Sequence, residues 1–298
     1  MSKDIDNSEK SQNEMFYLYR IKVVYPVQGD LFSKHNEGKC STGSLIKSAV
    51  EEMKNMSLDD GAWLIGNIEF LDSEGIAFNI GKKIKKNLPK HDPKKSVFVQ
   101  EDNEEAPNTQ IFIHLEEELC AIAHSPNLAA KTVTAANKFI KMLNLSQVAK
   151  TNNIKFTVQS LKDPTNFIEH LESAYSVENF AITFTRPNPI NIEKDIYGPL
   201  TQTLQEAGGE KGKASFSGKS GLDTNVVEKM ARSVSATGDN ATAKVKSKKD
   251  EKAVPRSLKE NPLFFVFESP RDKQTKKGLL EKMLDSYRSL QNKNEYNE

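Results

Sequence analysis

The chain has 298 residues, and its 42 Lys and Arg nearly balance 41 Asp and Glu, for a formal net charge of +1. With 37% hydrophobic and 28% charged residues, the composition is typical of a globular protein long enough for two domains, and it excludes a wholly disordered chain. The apolar run at residues 263–267 is far shorter than the ~20 residues that span a bilayer. Two cysteines do not make a disulfide framework. We therefore expect a cytoplasmic protein.

The first half of the chain predicts an antiparallel sheet. Residues 1–14 are polar and are expected to form a disordered leader. Runs of β-branched and aromatic residues between turn residues indicate strands, at 15–25, 63–71, 76–80, 97–100, 111–115 and 119–123. Helical spacing of apolar residues, and Ser125 before Pro126 as a helix start, indicate helices at 44–56 and 125–145. We interpret residues 15–148 as an antiparallel β-meander domain with helices.

The second half alternates strands with helices. The patterns predict strands at 154–161, 179–185, 213–217, 242–246 and 263–268, and helices at 164–175, 192–206, 223–235 and 275–290. Such alternation indicates a helix-covered mixed sheet of split βαβ type over residues 149–291, with a polar tail at 292–298. The predicted fold class is therefore α+β with two domains.

Two basic segments are the main functional signal. Residues 82–95 hold seven Lys against one Asp, and residues 211–259 hold ten Lys and two Arg against five acidic residues. Because the whole chain is nearly neutral, these segments predict a positive face that contacts a nucleic-acid backbone without reading its sequence. The alternative is that they are solvated loops, since lysine does not make bidentate contacts. The candidate residues are Lys82, Lys83, Lys85, Lys86, Lys94, Lys95, Arg186, Lys211, Lys213, Lys219, Lys244, Lys246, Lys248 and Lys249.

Catalytic and metal-binding motifs are weak. Residues 217–220 (SGKS) resemble part of a phosphate-binding loop, but Lys213 stands where that loop needs its first glycine. His114, Cys120 and His124 lack the spacing of a zinc site, because neighbouring strand positions point to opposite faces. We predict no metal site and no cofactor. A metal-dependent nuclease or a nucleotide-handling enzyme, using carboxylates that the sequence does not pair, is the alternative function.

The last predicted helix carries an apolar stripe that includes Leu279, Met283 and Tyr287. This stripe either docks on the chain's own domain or joins a second subunit. The second possibility would make the protein an oligomeric assembly protein.

Two parts of the sequence carry a family resemblance. The first combines residues 65–81 with residues 111–123. The second is residues 163–188, with a strand, an Asp-Pro turn, a helix, a strand and an Arg-Pro-Asn ending. In this arrangement the chain resembles uncharacterised bacterial proteins of mobile elements and phage-defence loci. The resemblance implies action beside nucleic acid or beside another protein encoded at the same locus. We therefore expect a non-catalytic protein that binds nucleic acid or a partner protein, as a component of an anti-phage defence system.

Overall fold

The fold was determined from a computed structural model, which describes residues 13–25, 41–59, 62–72, 74–185, 197–209 and 211–291. Residues 1–12 of the expected leader, the tail at 292–298 and the segment 186–196, which includes Arg186, lie outside the described residues. The last two residues of the expected leader, Asn13 and Glu14, are instead the start of a strand that pairs with residues 267 and 268.

The described residues form an α+β protein, as predicted, and every strand pairing among them is antiparallel. The strands are β1 (Asn13–Val24), β2 (Ser57–Leu58), β3 (Trp63–Leu71), β4 (Gly75–Lys82), β5 (Ile84–Asp92), β6 (Val97–Glu105), β7 (Asn108–His114), β8 (Leu119–Ala123), β9 (Lys155–Ser160), β10 (Ser176–Thr185), β11 (Lys211–Ser217), β12 (Asn240–Lys246), β13 (Val254–Ser257) and β14 (Phe264–Glu268). The helices are α1 (Thr42–Glu52), α2 (Thr132–Leu145), α3 (Gln147–Thr151), α4 (Thr165–Glu172), α5 (Tyr197–Glu206), α6 (Thr224–Thr237) and α7 (Lys273–Gln291).

The first sheet has the order β14-β1-β8-β7-β4-β3-β2, and β9 also pairs with β1. One edge of β1 therefore carries β8, and the other edge carries β14 and then β9. Between these two, the Leu18 amide donates to the Leu263 carbonyl and the Leu18 carbonyl accepts from the Leu161 amide. The first sheet is thus completed by strands that lie about a hundred residues apart in the chain.

Both faces of the first sheet are covered. Tyr19 and Ile21 of β1 pack in the core under α1, α2 and α3, whereas Phe16 and Leu18 pack under α7. Successive strand residues point to opposite faces, so a strand buried on both faces is apolar at nearly every position. The aromatic and β-branched composition of β1 follows from this placement.

The segment between β9 and β14 forms a second unit inserted into the first sheet. Its two ends are held together by a bridge between Lys162 and Pro262 and by the Asp163 amide, which donates to the Asn261 carbonyl. Its own sheet has the order β11-β10-β12-β13. The predicted mixed sheet of split βαβ type is therefore corrected to an antiparallel one, because the strands reverse direction at each pairing. A boundary near residue 148 does not separate the two sheets, since β9, β14 and α7 lie with the first.

A long hairpin projects from the first sheet. Strands β5 and β6 pair only with each other, over nine residues each, and continue the β4–β7 pair outward. The described side chains of this hairpin are exposed except at Ile84 and Glu105, which are half-buried at its base. We call residues 84–105 the arm.

The apolar stripe of the last predicted helix lies on α7 and faces the first sheet. Leu279, Met283 and Tyr287 are 0%, 0% and 3% exposed and pack on the first sheet of their own chain. Of the two alternatives, the structure shows the first for these side chains, which dock on the chain's own sheet. No helix in the described ranges is long and apolar enough to cross a membrane.

One predicted helix start is also corrected. Ser125 and Pro126 begin only a turn, in which the Ser125 carbonyl accepts from the Leu128 and Ala129 amides. The chain becomes extended again at Lys131 (φ −133°, ψ 136°), and α2 begins at the next residue. A good local start signal thus did not continue into a helix.

Candidate nucleic-acid interface

The second sheet has one covered face and one open face. Phe180, Ile182 and Phe184 of β10 are buried beneath α4 and α6. The residues between them point the other way, because side chains alternate along a strand. In β11 and β12 the same alternation exposes Lys211, Lys213, Thr242 and Lys244 and turns Ala241, Ala243 and Val245 inward. We call the exposed side the open face.

The register brings three of the candidate lysines onto this open face. Lys211 and Lys213 lie opposite Thr185 and Thr183 of β10, and Lys244 lies opposite Asn179 on the other edge of that strand. Opposed residues of an antiparallel pair share a face. Lysines from β11 and from β12 therefore flank the central strand on one surface.

Hydroxyl and amide side chains fill the space between these lysines. Their positions follow from the same register, and the carboxylate of Glu178, at the irregularity of β10, is paired with Lys246. The neutral polar residues are Asn179, Thr183, Ser215, Ser217, Asn240, Thr242 and Ser257. Lys, Ser, Thr and Asn are the side chains that commonly contact the phosphates of nucleic acids.

The remaining candidates of this unit lie around the open face and are partly neutralised. Lys246 pairs with Glu178 at 2.7 Å, and Lys248 approaches Glu251 at 3.5 Å. Lys219 and Lys249 are exposed in turns that follow β11 and β12, at the end of the sheet where β10 begins. The positive charge is therefore concentrated on the open face itself.

The other basic segment lies on a different element and faces an acidic strand. Lys85 lies opposite Glu104 in the arm, and Lys86 makes an ion pair with Glu105 at 2.6 Å. Lys82 is the last residue of β4, Lys83 precedes β5, and Lys94 and Lys95 lie in the turn of the arm. This basic segment and the open face therefore do not belong to the same sheet. Pairing between strands of opposite charge weakens the arm as a phosphate-binding surface.

Two basic residues that the sequence analysis overlooked are buried where the inserted unit meets the first sheet. Arg20 and Lys22 of β1 are 4% and 1% exposed. Arg20 Nη1 donates to the Tyr287 hydroxyl at 2.5 Å, and Lys22 Nζ donates to Thr185 Oγ1 at 3.0 Å and lies 3.5 Å from Asp239 Oδ2. Burial lowers the pKa of Lys22, and the Asp239 carboxylate opposes that shift. The only sequence signal was a pair of basic residues at alternate positions within an apolar strand.

Thr185 is the centre of this contact, which we call the junction. Its hydroxyl accepts from Lys22 and from Gln159 Nε2 at 2.9 Å, and donates to Asp239 Oδ1 at 3.0 Å. Asp239 Oδ2 also accepts from the Thr237 hydroxyl at 3.0 Å. The junction thus joins β1 and β9 to the ends of β10 and α6, and it fixes the open face relative to the first sheet.

In the described residues, the fold does not bring the candidate catalytic and metal-binding side chains together. His114 and Cys120 lie on opposite faces of the β7–β8 pair, because Cys120 is opposite Ile113. His114 Nδ1 accepts from the Glu117 amide at 3.2 Å, and burial lowers its pKa. Within the described ranges no three His, Cys, Asp or Glu residues lie close enough to hold a metal ion.

The loop at residues 217–220 does lie between a strand and a helix, as a phosphate-binding loop would. However, α6 is capped by Asp223, whose carboxylate accepts from the Asn225 and Val226 amides. A carboxylate already occupies the amides that would bind an anion. The structure thus supports the rejection of a nucleotide-binding loop.

A cleft of about 610 Å³ lies between β3, β4, β7 and the start of α7. Among its described lining residues Glu69 is the one carboxylate, and it forms an ion pair with Lys276. A metal-dependent nuclease needs converging carboxylates, so this cleft does not favour the enzymatic alternative.

Comparison with known proteins adds no functional information. No protein-family model matches the chain, and no curated protein matches it either.

Proposed function

We propose that this protein binds the sugar-phosphate backbone of nucleic acid through the open face of its second sheet, without sequence readout and without catalysing a reaction. The observation that carries the proposal is the set Lys211, Lys213 and Lys244 among hydroxyl and amide side chains, while the nearby carboxylate of Glu178 is paired with Lys246. Affinity of this kind comes from neutralising phosphates and releasing counterions.

The resemblance to proteins of phage-defence loci supports placing this activity in anti-phage defence. A defence protein that acts on nucleic acid of any sequence would bind through the backbone and not through the bases. The geometry agrees, because lysines act as point charges and do not provide the bidentate contacts that distinguish bases.

The test compares two triple charge reversals of equal size. Lys211→Glu, Lys213→Glu and Lys244→Glu alter the open face, and Lys83→Glu, Lys85→Glu and Lys95→Glu alter the arm region as a matched control. Binding of labelled duplex DNA, single-stranded DNA and RNA is measured by fluorescence anisotropy across a salt series. Each lost phosphate contact should flatten the slope of log affinity against log salt by about 0.7 to 0.9, so the open-face variant should lose about 2 to 3.

The arm variant should keep most of the wild-type slope, because Lys85 lies opposite Glu104 and the three residues lie on a different element from the open face. Equal losses in both variants would show that only overall charge matters. Absence of binding by the wild-type chain at low salt would reject the proposal.

A further inference from the structure

Strand β9 has an edge that faces away from the first sheet. The Leu161 amide donates to the Leu18 carbonyl at 2.9 Å, which shows that the odd-numbered residues of this segment direct their backbone groups toward β1. Backbone groups alternate along a strand. The N–H and C=O groups of Phe156, Val158 and Ser160 therefore point outward.

One position of this edge is already occupied by a side chain that imitates a strand. The Phe156 amide donates to Asn144 Oδ1 at 2.7 Å, and Asn144 Nδ2 donates to the Phe156 carbonyl at 2.9 Å. The Ser160 carbonyl accepts from Lys162 Nζ at 2.7 Å. Within the described chain, the N–H and C=O of Val158 and the N–H of Ser160 have no hydrogen-bond partner. Unpaired groups on an edge strand are a template for a further strand.

A groove runs beside this edge. It has a volume of about 580 Å³ and lies between β9 and one stripe of α2, formed by Thr134, Asn137, Lys141 and Asn144. These four residues are three or four positions apart and so share one side of the helix. Ile140, Phe156 and Val158 supply its apolar lining.

The groove is positively charged. Its lining includes Lys138, Lys141 and Lys155 and no acidic residue. Lys138 already pairs with Asp59 and lies 5.5 Å from the centre of the Trp63 ring. The charge available to a ligand therefore comes mainly from Lys141 and Lys155, one at each wall.

We propose that this groove binds an extended acidic peptide segment of a partner protein, which adds as a strand to the outer edge of β9. Its backbone pairs with Val158 and Ser160, and its carboxylates lie near Lys141 and Lys155. Strand addition of this kind obtains affinity from main-chain hydrogen bonds and selectivity from side-chain contacts.

The chemistry of the edge favours a peptide over a nucleic acid. Val158 offers one donor and one acceptor at strand spacing, which match the donor and acceptor of another peptide backbone. Phosphate oxygens could use only the donor. Phe156, the aromatic residue in the lining, is fully buried, so it does not offer a ring for base stacking.

The test uses a fluorescein-labelled, acetylated peptide of alternating Glu and Thr and the full chain. Its matched control is the same peptide with N-methyl groups at alternate residues, which keeps the charge and removes backbone donors. We expect the N-methyl peptide to bind at least about tenfold more weakly, as expected for the loss of one or two hydrogen bonds. Equal binding of both peptides, or no binding of the first, would overturn the proposal.

Protein variants test the same contact from the other side. Val158→Pro removes the outward N–H, and Val158→Thr keeps it; an edge strand tolerates proline where its N–H is not paired. We expect about a tenfold loss of peptide affinity for Val158→Pro and little change for Val158→Thr. Lys141→Glu should weaken binding more than Lys150→Glu, a change of equal charge at an exposed site in α3.

A competition experiment separates the two classes of ligand. If single-stranded DNA displaces the peptide and Val158→Pro binds both as the wild type does, the groove is a charged nucleic-acid surface and the proposal fails. If Val158→Pro does not fold, as judged by circular dichroism, the comparison of the two peptides on the wild-type protein still decides the question.

Discussion

We predict that Asp239 stabilises the folded protein mainly by compensating the charge of the buried Lys22 at the junction. In the variant Asp239→Asn, the Nδ2 donor would face the Lys22 ammonium, which keeps only its hydrogen bond to Thr185. At 3.5 Å, two unit charges attract each other by about 5 kcal/mol for an effective dielectric constant of about 20. Breaking one side of a buried ion pair commonly costs about 3–5 kcal/mol. We expect a loss of that size in the free energy of unfolding at pH 7.

The pKa of Lys22 also determines how the free energy of unfolding should change with pH. The pKa of Lys22 is lowered in the folded protein, so between the folded and unfolded pKa values the unfolded chain binds more protons. Stability therefore rises with pH between those two pKa values and is flat below them. Removing the Asp239 carboxylate lowers the pKa of Lys22 further, so the rise should begin at lower pH in Asp239→Asn.

The assay is urea unfolding followed by circular dichroism, for wild type, Asp239→Asn, Lys22→Met and the double variant, at several pH values. Lys22→Met should restore much of the stability lost in Asp239→Asn, since it removes the uncompensated charge. The reasoning is refuted if Asp239→Asn loses less than about 1 kcal/mol, or if its loss is unchanged when Lys22 is absent.

Three further predictions concern single sites. Gly238 has a φ of +78°, and a Cβ there would come within 2.8 Å of the Gln159 Cβ, so Gly238→Ala should cost about 2 kcal/mol in urea unfolding; an unchanged midpoint would contradict this. Asp223 caps α6, so Asp223→Ala should lower the free energy of unfolding by about 1 kcal/mol in thermal melts, whereas Asp223→Ser should keep most of it; equal melting of the two variants would argue against the cap. Burial raises the pKa of the Cys120 thiol, so in a Cys40→Ser background a thiol reagent should react only on unfolding, and prompt reaction of the native protein would disprove it.

Element type was largely predictable because it depends on neighbouring residues. The apolar alternation of β7 and β8 and the helical spacing of α6 behind Asp223 are local patterns, and each appears in the structure near its predicted place. Gly75 shows where local reasoning stops. A glycine in the turn between β3 and β4 suggests a positive φ at that position, but Asp72 adopts that conformation (φ 57°), and a Cβ on Gly75 would instead collide with Leu280.

For the candidate site, the sequence predicted an excess of lysine in two segments but not which lysines share a surface. Counting charge assigned equal weight to the lysines of the arm and of the second sheet. The register then placed Lys85 opposite Glu104, while it placed Lys213 and Lys244 among neutral polar residues. Net charge along a segment does not specify which strand pairs with it, and the pairing strand decides whether the charge is neutralised.

Local sequence patterns were sufficient to predict the α+β class, the order of most elements and the excess of positive charge in two segments. The three-dimensional arrangement was needed to show that β9 and β14 share one edge of β1, that α7 covers its own sheet and that Lys22 is buried beside Asp239. Propensity and periodicity act over a few residues, whereas sheet edges, burial and charge pairing join residues that lie up to a few hundred positions apart.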